Sequence, residues 1–318
     1  MTRKIIISQN INQDLLKAIS DKMSDWEIIH GKDPSIWNKE VAKAEIILGW
    51  RDEMKNALDS SQIKWIQSWS AGVDSFPLRQ FEEKRITLTS ANGVHAYPIS
   101  ETVMALILSF TRKIHEYVRN QQEKKWHNQG LKLEIHNKTV GIFGVGAIGK
   151  EIAKICKSFN MKVIGVRNRL IEEEYFDQMY SQEQLEEVLP QCDFVVCALP
   201  LTERTHHLFN KSSFKLMKDT AFFVNIGRGL SVKEQDLIEA LENGIIAGAG
   251  LDVFETEPLP VDSPLWEMEQ VIITPHTAGS TEYYNQRVIQ DIFLPNLQAY
   301  LEKKEQLPVN QVNYSSGY

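Results

Sequence analysis

The residues with the most chemistry to offer stand just after short apolar runs. Arg228, in NIGRG, follows AFFVNIG, and His276, in TPHTAGST, follows VIITP. Reading both runs as strands puts the two side chains at carboxyl ends, where open α/β sheets gather their ligands. A guanidinium there can grip a carboxylate through two parallel hydrogen bonds and polarise an adjacent keto group. Imidazole titrates nearest to neutrality when unperturbed, so His276 is the candidate to exchange a proton with a bound ligand. Gly227 and Gly229 flank the arginine and support a close ligand approach.

Upstream, Lys138 to Gly149 reads KTVGIFGVGAIG, a buried strand leading into Gly144, Gly146 and Gly149 in G-x-G-x-x-G register and then into the helical GKEIAKICKSF. Strand, glycines and helix come in the order a dinucleotide site needs. The first glycine permits the tight turn, the second lets a pyrophosphate meet bare backbone, and the third lets the helix pack on the strand, with Ala147 and Ile148 at the helix start offering free amides. The next run, MKVIGV, ends in Arg167, Asn168 and Arg169, about 20 residues beyond the glycines, where an NAD site ordinarily carries an acid. An arginine cannot accept hydrogen bonds from a ribose diol, whereas its planar fork can pair with a 2′-phosphate. NADP(H) is therefore the preferred cofactor and NAD(H) a possible one; a solvated basic turn with an acid supplied from elsewhere is the open alternative.

The elements that must position these residues follow from short β-branched runs alternating with helical-period segments, which gives the α/β class and parallel sheets covered on both faces. The first part predicts strands at 4–8, 26–30, 44–49, 64–68 and 86–90, one small doubly wound sheet. A long helix is predicted from Ile99 to about Tyr117, with Ser100 able to cap it. After a polar connector around Lys124 to Asn137, six further strands suit a nucleotide-binding sheet: TVGIFG, MKVIGV, DFVVCAL, AFFVNIG, AGAGLDV and VIITPH. The segment from Thr281 to about Glu305 reads as helical but holds Pro295, which should kink or divide it. The tail QVNYSSGY has too little apolar content to predict order.

In this sequence GVGAIG, ALPLTERT, NIGRG, GLDVFETEP and TPHTAGST occur in that order, with the weaker WSAGVD and ANGVHAYPISE before them. Together they resemble the D-isomer-specific 2-hydroxyacid dehydrogenases, of the glyoxylate/hydroxypyruvate reductase kind. The resemblance implies two Rossmann- or flavodoxin-like doubly wound domains around a cleft, usually in a homodimer. The substrate domain would comprise 1–98 plus 285–318, and the dinucleotide-binding domain 99–284. It further implies reduction of a small 2-keto acid to the D-2-hydroxyacid, and the reverse, with Arg228 as the substrate arginine, His276 as general acid and base, and Glu257 as its acid partner. A carboxylate beside an imidazolium favours the charged form. By the same resemblance the cofactor would be edged by Leu199, Pro200, Thr205, Ile226, Asp252, His276, Ala278 and Gly279, with Asp252 facing the nicotinamide carboxamide. The loop from Ser70 to Asp74 would offer the backbone of Ala71, Gly72 and Val73 to the substrate carboxylate. Trp50 and Arg51, ending the run AEIILG, could reach the cleft, Trp50 shaping it and Arg51 either favouring an extra anionic group or standing in solvent. Competing readings are a dehydrogenase of the same fold acting on another small acid such as formate, and a catalytically weak NAD(H)-binding corepressor, since fold alone does not settle function.

Composition narrows the rest. A chain of 318 residues with 42% hydrophobic content can bury two cores, and a formal charge of −7 gives no general basic surface for nucleic acid. The three cysteines, Cys156, Cys192 and Cys197, sit in apolar stretches and read as core packing in a reducing cytoplasm. No signal-like or membrane-length apolar run is evident, and no histidine and cysteine spacing calls for a metal.

Overall fold

The computed structural model describes residues 2–73, 75–128, 130, 133–168 and 170–314. The chain divides into two compact units, Met1–Val94 with Thr281–Tyr318, and His95–Ser280. Their limits lie at 94 and 281, a few residues before the 98 and 285 expected from the sequence.

The first unit is built on five parallel strands, β1 (Arg3–Ile7), β2 (Trp26–His30), β3 (Ile46–Leu48), β4 (Trp65–Gln67) and β5 (Thr87–Thr89), in the order β2-β1-β3-β4-β5. Four of the five fall inside the predicted runs, and β1 begins one residue ahead of its run, at Arg3. Side chains alternate between faces with the period-2 pleat: Ile5 and Ile7 enter one buried cluster with Trp65, Phe293 and Leu297, while Ile6 enters another with Trp37, Trp50 and Phe81. The C-terminal segment covers the first face, and the Phe293 ring stacks on Trp65 at 5.0 Å. That segment is helical over Tyr284–Arg287, a π-helical stretch over Val288–Phe293, and helical again over Leu294–Leu301. Pro295 lies just past the π-helical stretch in an unbroken helical run, so its missing N–H goes with a change of hydrogen-bond pattern and does not divide the segment. Of the tail, Gln311 to Tyr314 pack along β5, which has a free edge, and the rest lies outside the described residues. Gln311 bridges Thr89, the Val312 amide donates to the Leu88 carbonyl, and the Tyr314 hydroxyl donates to the Ile86 carbonyl at 2.5 Å.

The second unit carries seven parallel strands, one more than predicted: β6 (Thr139–Phe143), β7 (Lys162–Val166), β8 (Gln178–Tyr180), β9 (Phe194–Cys197), β10 (Phe222–Asn225), β11 (Gly248–Leu251) and β12 (Val271–Ile273), in the order β12-β11-β10-β9-β6-β7-β8. The extra strand, β8, is a partly exposed edge strand. Val140, Ile142, Val196, Phe222 and Val224 point to one face with Val103, Leu106, Ile107 and Phe110, and Phe143, Val195, Cys197 and Phe223 point to the other. The long predicted helix is two helices, Ala96–Thr111 and Ile114–Gln122, separated where Lys113 takes a left-handed φ of +57°. Ser100 sits inside the first of them, its hydroxyl donating to the Tyr97 carbonyl, instead of capping it. The three thiols are free and buried, with burial pushing each up to about 12. Among the described residues no helix is long and apolar enough to cross a membrane, and no group of three His, Cys, Asp or Glu is placed to hold a metal.

Candidate active site

In the second sheet β6 is flanked by β7 and β9, so the chain leaves β6 and β9 for opposite faces and opens a crevice at their carboxyl ends. Gly144 stands there at φ +107°, and a Cβ on it would lie 2.5 Å from the Ala198 carbonyl oxygen. Gly149 faces the same turn, where a Cβ would come within 2.1 Å of the Gly144 carbonyl oxygen. Gly146 differs from both, since its missing Cβ would meet nothing within 4 Å. Two glycines thus close the turn and the third leaves room beside it. Gly146 is also the N-cap of the helix Ala147–Ser158, and no side chain caps that end. An open backbone beside uncapped helix amides fits a pyrophosphate.

At the end of β7 the basic turn has an acid after all. Arg167 Nη1 donates to Glu173 Oε1 at 2.6 Å, and Lys150 Nζ lies 2.6 Å from Glu173 Oε2. Neither Lys150 nor Glu173 was singled out from the sequence; the one available signal was the acidic run Glu172–Glu174 soon after the arginines. Asn168 is exposed, and Arg169 lies outside the described residues. After β9, Leu199 is buried and Pro200 exposed, while the Thr205 hydroxyl is occupied inside the turn, donating to the Pro200 carbonyl at 2.6 Å and accepting from the Thr202 amide. Ile226 is buried and ties to β9 through its amide on the Cys197 carbonyl.

The next three strand ends carry the polar groups. After β10, Asn225 is buried and clamps its own loop, accepting from the Gly227 amide and donating to the Arg228 carbonyl. Gly229 packs so tightly that a Cβ would fall 1.7 Å from the Phe254 carbonyl oxygen. Arg228 is exposed between them, its Nη1 donating to the Gly227 carbonyl. Behind this loop His207 Nε2 lies 3.0 Å from Glu255 Oε1, and the His207 amide donates to the Leu230 carbonyl.

After β11, Asp252 is 2% exposed and organises the loop after β12. Its Oδ1 accepts from the Thr274 hydroxyl at 2.6 Å and from the amides of Thr277 and Ala278, and its carbonyl accepts the His276 amide. His276 is held there at a left-handed φ of +52°. Its Nδ1 lies 2.7 Å from Glu257 Oε2, while Glu257 Oε1 accepts the Phe254 amide. Burial raises the Glu257 carboxyl, but the His276 hydrogen bond, the Phe254 amide and the nearby fields of His276 and Arg228 outweigh it and leave it below the usual carboxylate value. Glu257 and His276 are thus in contact, and Arg228 is close enough for its charge to be felt. Donation from Nδ1 to the carboxylate leaves Nε2 to gain or lose a proton. Beyond the histidine, Ala278 is buried and the Gly279 carbonyl lies 2.8 Å from His95 Nδ1.

The residues expected to meet the substrate carboxylate belong to the first unit. Ala71 is half-buried, Gly72 exposed, and Val73 sends its side chain into the core; Asp74 lies outside the described residues. Hydroxyls shape this loop: Ser68 Oγ accepts from the Ser70 amide, and Ser70 Oγ donates to the Gly72 carbonyl. Trp50 is a core residue, 7% exposed and packed edge-on against Phe81 at 5.0 Å, so it does not wall a binding surface as the sequence suggested. The Arg51 guanidinium donates to the Ser8 carbonyl from Nε and Nη2, both at 3.3 Å.

Comparison with known proteins adds a lineage to this geometry. The family model described as D-isomer specific 2-hydroxyacid dehydrogenase, NAD binding domain, matches residues 104–278. The glyoxylate/hydroxypyruvate reductase B of Klebsiella pneumoniae subsp. pneumoniae is 34% identical over 292 residues, which cover 88% of this chain and 90% of that protein. A crystal structure of a D-isomer specific 2-hydroxyacid dehydrogenase family protein from Aeromonas salmonicida subsp. salmonicida is similar with a TM-score of 0.84 at 32% identity, covering 99% of this chain and 100% of the other. An NADPH-dependent glyoxylate/hydroxypyruvate reductase from Sinorhizobium meliloti, solved with NADP and sulfate, matches with a TM-score of 0.80 at 27% identity over 99% and 100% of the two chains. The match of the family model spans more than half of the sequence and falls on the seven-stranded unit that carries the glycine cradle. This chain belongs to the D-isomer specific 2-hydroxyacid dehydrogenase family and is an NAD(P)-dependent oxidoreductase.

Proposed function

We propose that the protein reduces a small 2-keto acid to the D-2-hydroxyacid, and catalyses the reverse, with NADPH preferred to NADH and with glyoxylate and hydroxypyruvate as first substrates. The observation that carries this reading is the 2.7 Å contact between His276 Nδ1 and Glu257 Oε2, in loops adjoining the one that bears Arg228. When bound along Gly144–Gly149, the reduced dinucleotide supplies the hydride. Arg228 holds the substrate carboxylate and draws electron density from the keto group. Glu257 fixes the imidazole ring through Nδ1, so that His276 Nε2 hands a proton to the carbonyl oxygen as it becomes an alkoxide, and recovers it in the oxidative direction. The positive charge of Arg228 beside that oxygen lowers the barrier further, without need of a metal. Ala71, Gly72 and Val73 contribute backbone amides to the carboxylate, Val73 by its backbone alone because its side chain is buried. Asp252 acts through the loop it organises, and Leu199, Pro200, Ile226, Ala278 and Gly279 line the cofactor.

Support for the NADP preference comes from the basic turn at Arg167 and from similar structures solved in complex with NADPH or NADP. The relatives named for glyoxylate and hydroxypyruvate support the substrate class. The protein acts in the cytoplasm as a homodimer in this reading. Buried, unpaired thiols suit a reducing compartment, and the helix Ile114–Gln122 buries no residue while exposing Ile114 and Val118. Light scattering on the eluted protein gives the dimer mass if this is right. The deciding assay follows NADPH and NADH oxidation side by side over 2-keto acids of graded size. Turnover with the smallest acids and a lower KM for NADPH support the proposal; tight NADPH binding with no keto acid reduced would overturn it in favour of a regulatory role.

A further inference from the structure

The turn after β7 holds an arrangement of charge that proton and hydride transfer do not use. Each oxygen of the Glu173 carboxylate has its own cation, Arg167 Nη1 on one and Lys150 Nζ on the other, both at 2.6 Å. The three come from separate places: Lys150 from the first turns of the helix that opens on the glycine cradle, Arg167 from the end of β7, and Glu173 from the loop before β8. The Glu173 side chain is the most covered, 17% exposed against 27% for Arg167 and 47% for Lys150. A covered anion between two more open cations is the geometry of an internal counter-ion, and this cluster keeps one net positive charge. Lys150 and Arg167 converge on a single carboxylate, so their side chains already point to a common anion position.

We propose that Lys150 and Arg167 together form the site for the ribose 2′-phosphate of NADPH, and that Glu173 is a tethered anion that fills this site until the phosphate displaces it. The inference rests on the NADP reading above and names its specificity-determining residues. A phosphate monoester brings roughly −1.5 to −2 charges and three acceptor oxygens at neutral pH, against one charge and two oxygens for a carboxylate. The planar fork of Arg167 and the point charge of Lys150 therefore exchange Glu173 for the phosphate with a net gain. A dinucleotide without the 2′-phosphate leaves Glu173 in place and draws nothing from either cation. Glu173 keeps two like charges from facing each other bare, at the cost of competing with the ligand that needs them.

Calorimetric titration with adenosine 2′,5′-bisphosphate and adenosine 5′-monophosphate isolates the 2′-phosphate without any turnover. The Glu173→Gln variant should bind the bisphosphate about tenfold more tightly, and the monophosphate with a change under about twofold. Lys150→Gln should weaken the bisphosphate about tenfold, and raising the salt should erode the wild-type preference. Unchanged or weaker bisphosphate binding in Glu173→Gln, or unchanged binding in Lys150→Gln, overturns the assignment. Arg167→Gln separates this failure from failure of the NADP reading. If the wild type prefers the bisphosphate and Arg167→Gln loses that preference, while Glu173→Gln gains nothing, only the tethered-anion idea falls. If the wild type binds both nucleotides equally and Arg167→Gln changes neither, the NADP reading falls and takes this inference with it.

Discussion

Two loops at the carboxyl ends of strands in the seven-stranded sheet are built in opposite ways. The loop that presents His276 is wrapped around a buried carboxylate, with Asp252 receiving one hydroxyl and two amides from it. The turn that carries Arg167 is held by long charged side chains meeting near the surface, Glu173 between Lys150 and Arg167. Short hydrogen bonds to a buried anion fix atoms closely and are costly to leave unmade. Ion pairs between partly exposed long side chains contribute little stability and can exchange partners. The difference matches the tasks proposed for the two loops: proton transfer tolerates little geometric error, whereas discrimination between cofactors requires charges that can be re-paired.

If the first loop is the catalytic one, the largest losses must come from it. His276→Ala should lower kcat by roughly 10²–10⁴, about 3–5 kcal/mol of barrier, with cofactor affinity measured by fluorescence titration nearly intact. Near-normal turnover would end the comparison. Arg228→Ala should lower kcat/KM by about 10²–10³ and raise KM as well, because a carboxylate anchor acts before and during the reaction. An effect on kcat alone would move Arg228 out of substrate binding.

Asp252→Ala sharpens the claim that the His276 loop is organised from beneath. It leaves the buried Ala278 amide and the Thr277 amide without their acceptor and should cost about 2–3 kcal/mol in urea unfolding, with a fall in kcat larger than any change in dinucleotide affinity. On the other side of the comparison, Arg167→Asp should reverse the NADPH over NADH preference by about tenfold in KM while the urea midpoint barely moves. A large loss of stability there would show that the two loops are not so different.

The smallest effect concerns pH. The folded Glu257 carboxyl lies below its ordinary value of 4.5, so its charged form contributes stability that is present above that value and lost as pH falls through the folded pKa. Melting temperatures of the wild type and Glu257→Gln should therefore differ near pH 6 and converge below pH 4. A gap that widens on acidification would mean that the carboxylate is not what the pairing stabilises.

Much of this was legible in the residues because the strands are short, β-branched and buried on both faces, and because Gly144, Arg228 and His276 sit at their carboxyl ends. What escaped was of two kinds. Gln178–Tyr180 lacks an apolar pattern since an edge strand is only half covered, and nothing in composition marks Lys113 as a left-handed break. The other kind is long-range pairing: Asp252 receiving Thr274, Thr277 and Ala278, and Glu173 closing on Lys150, each across more than twenty positions of chain. Trp50 failed for the converse reason, since a tryptophan at a strand end can as well turn inward onto Phe81 as line a surface.

The backbone at His276, turned into a region of φ that side chains other than glycine seldom occupy, has a bearing on how this protein could be engineered. A glycine there would be conformationally at ease and would relieve roughly 1–2 kcal/mol of local cost, so a screen that rewards heat resistance alone would favour removing the imidazole. Thermal selection on this scaffold must therefore carry an activity gate, or it will return hardier molecules that have lost the proposed acid.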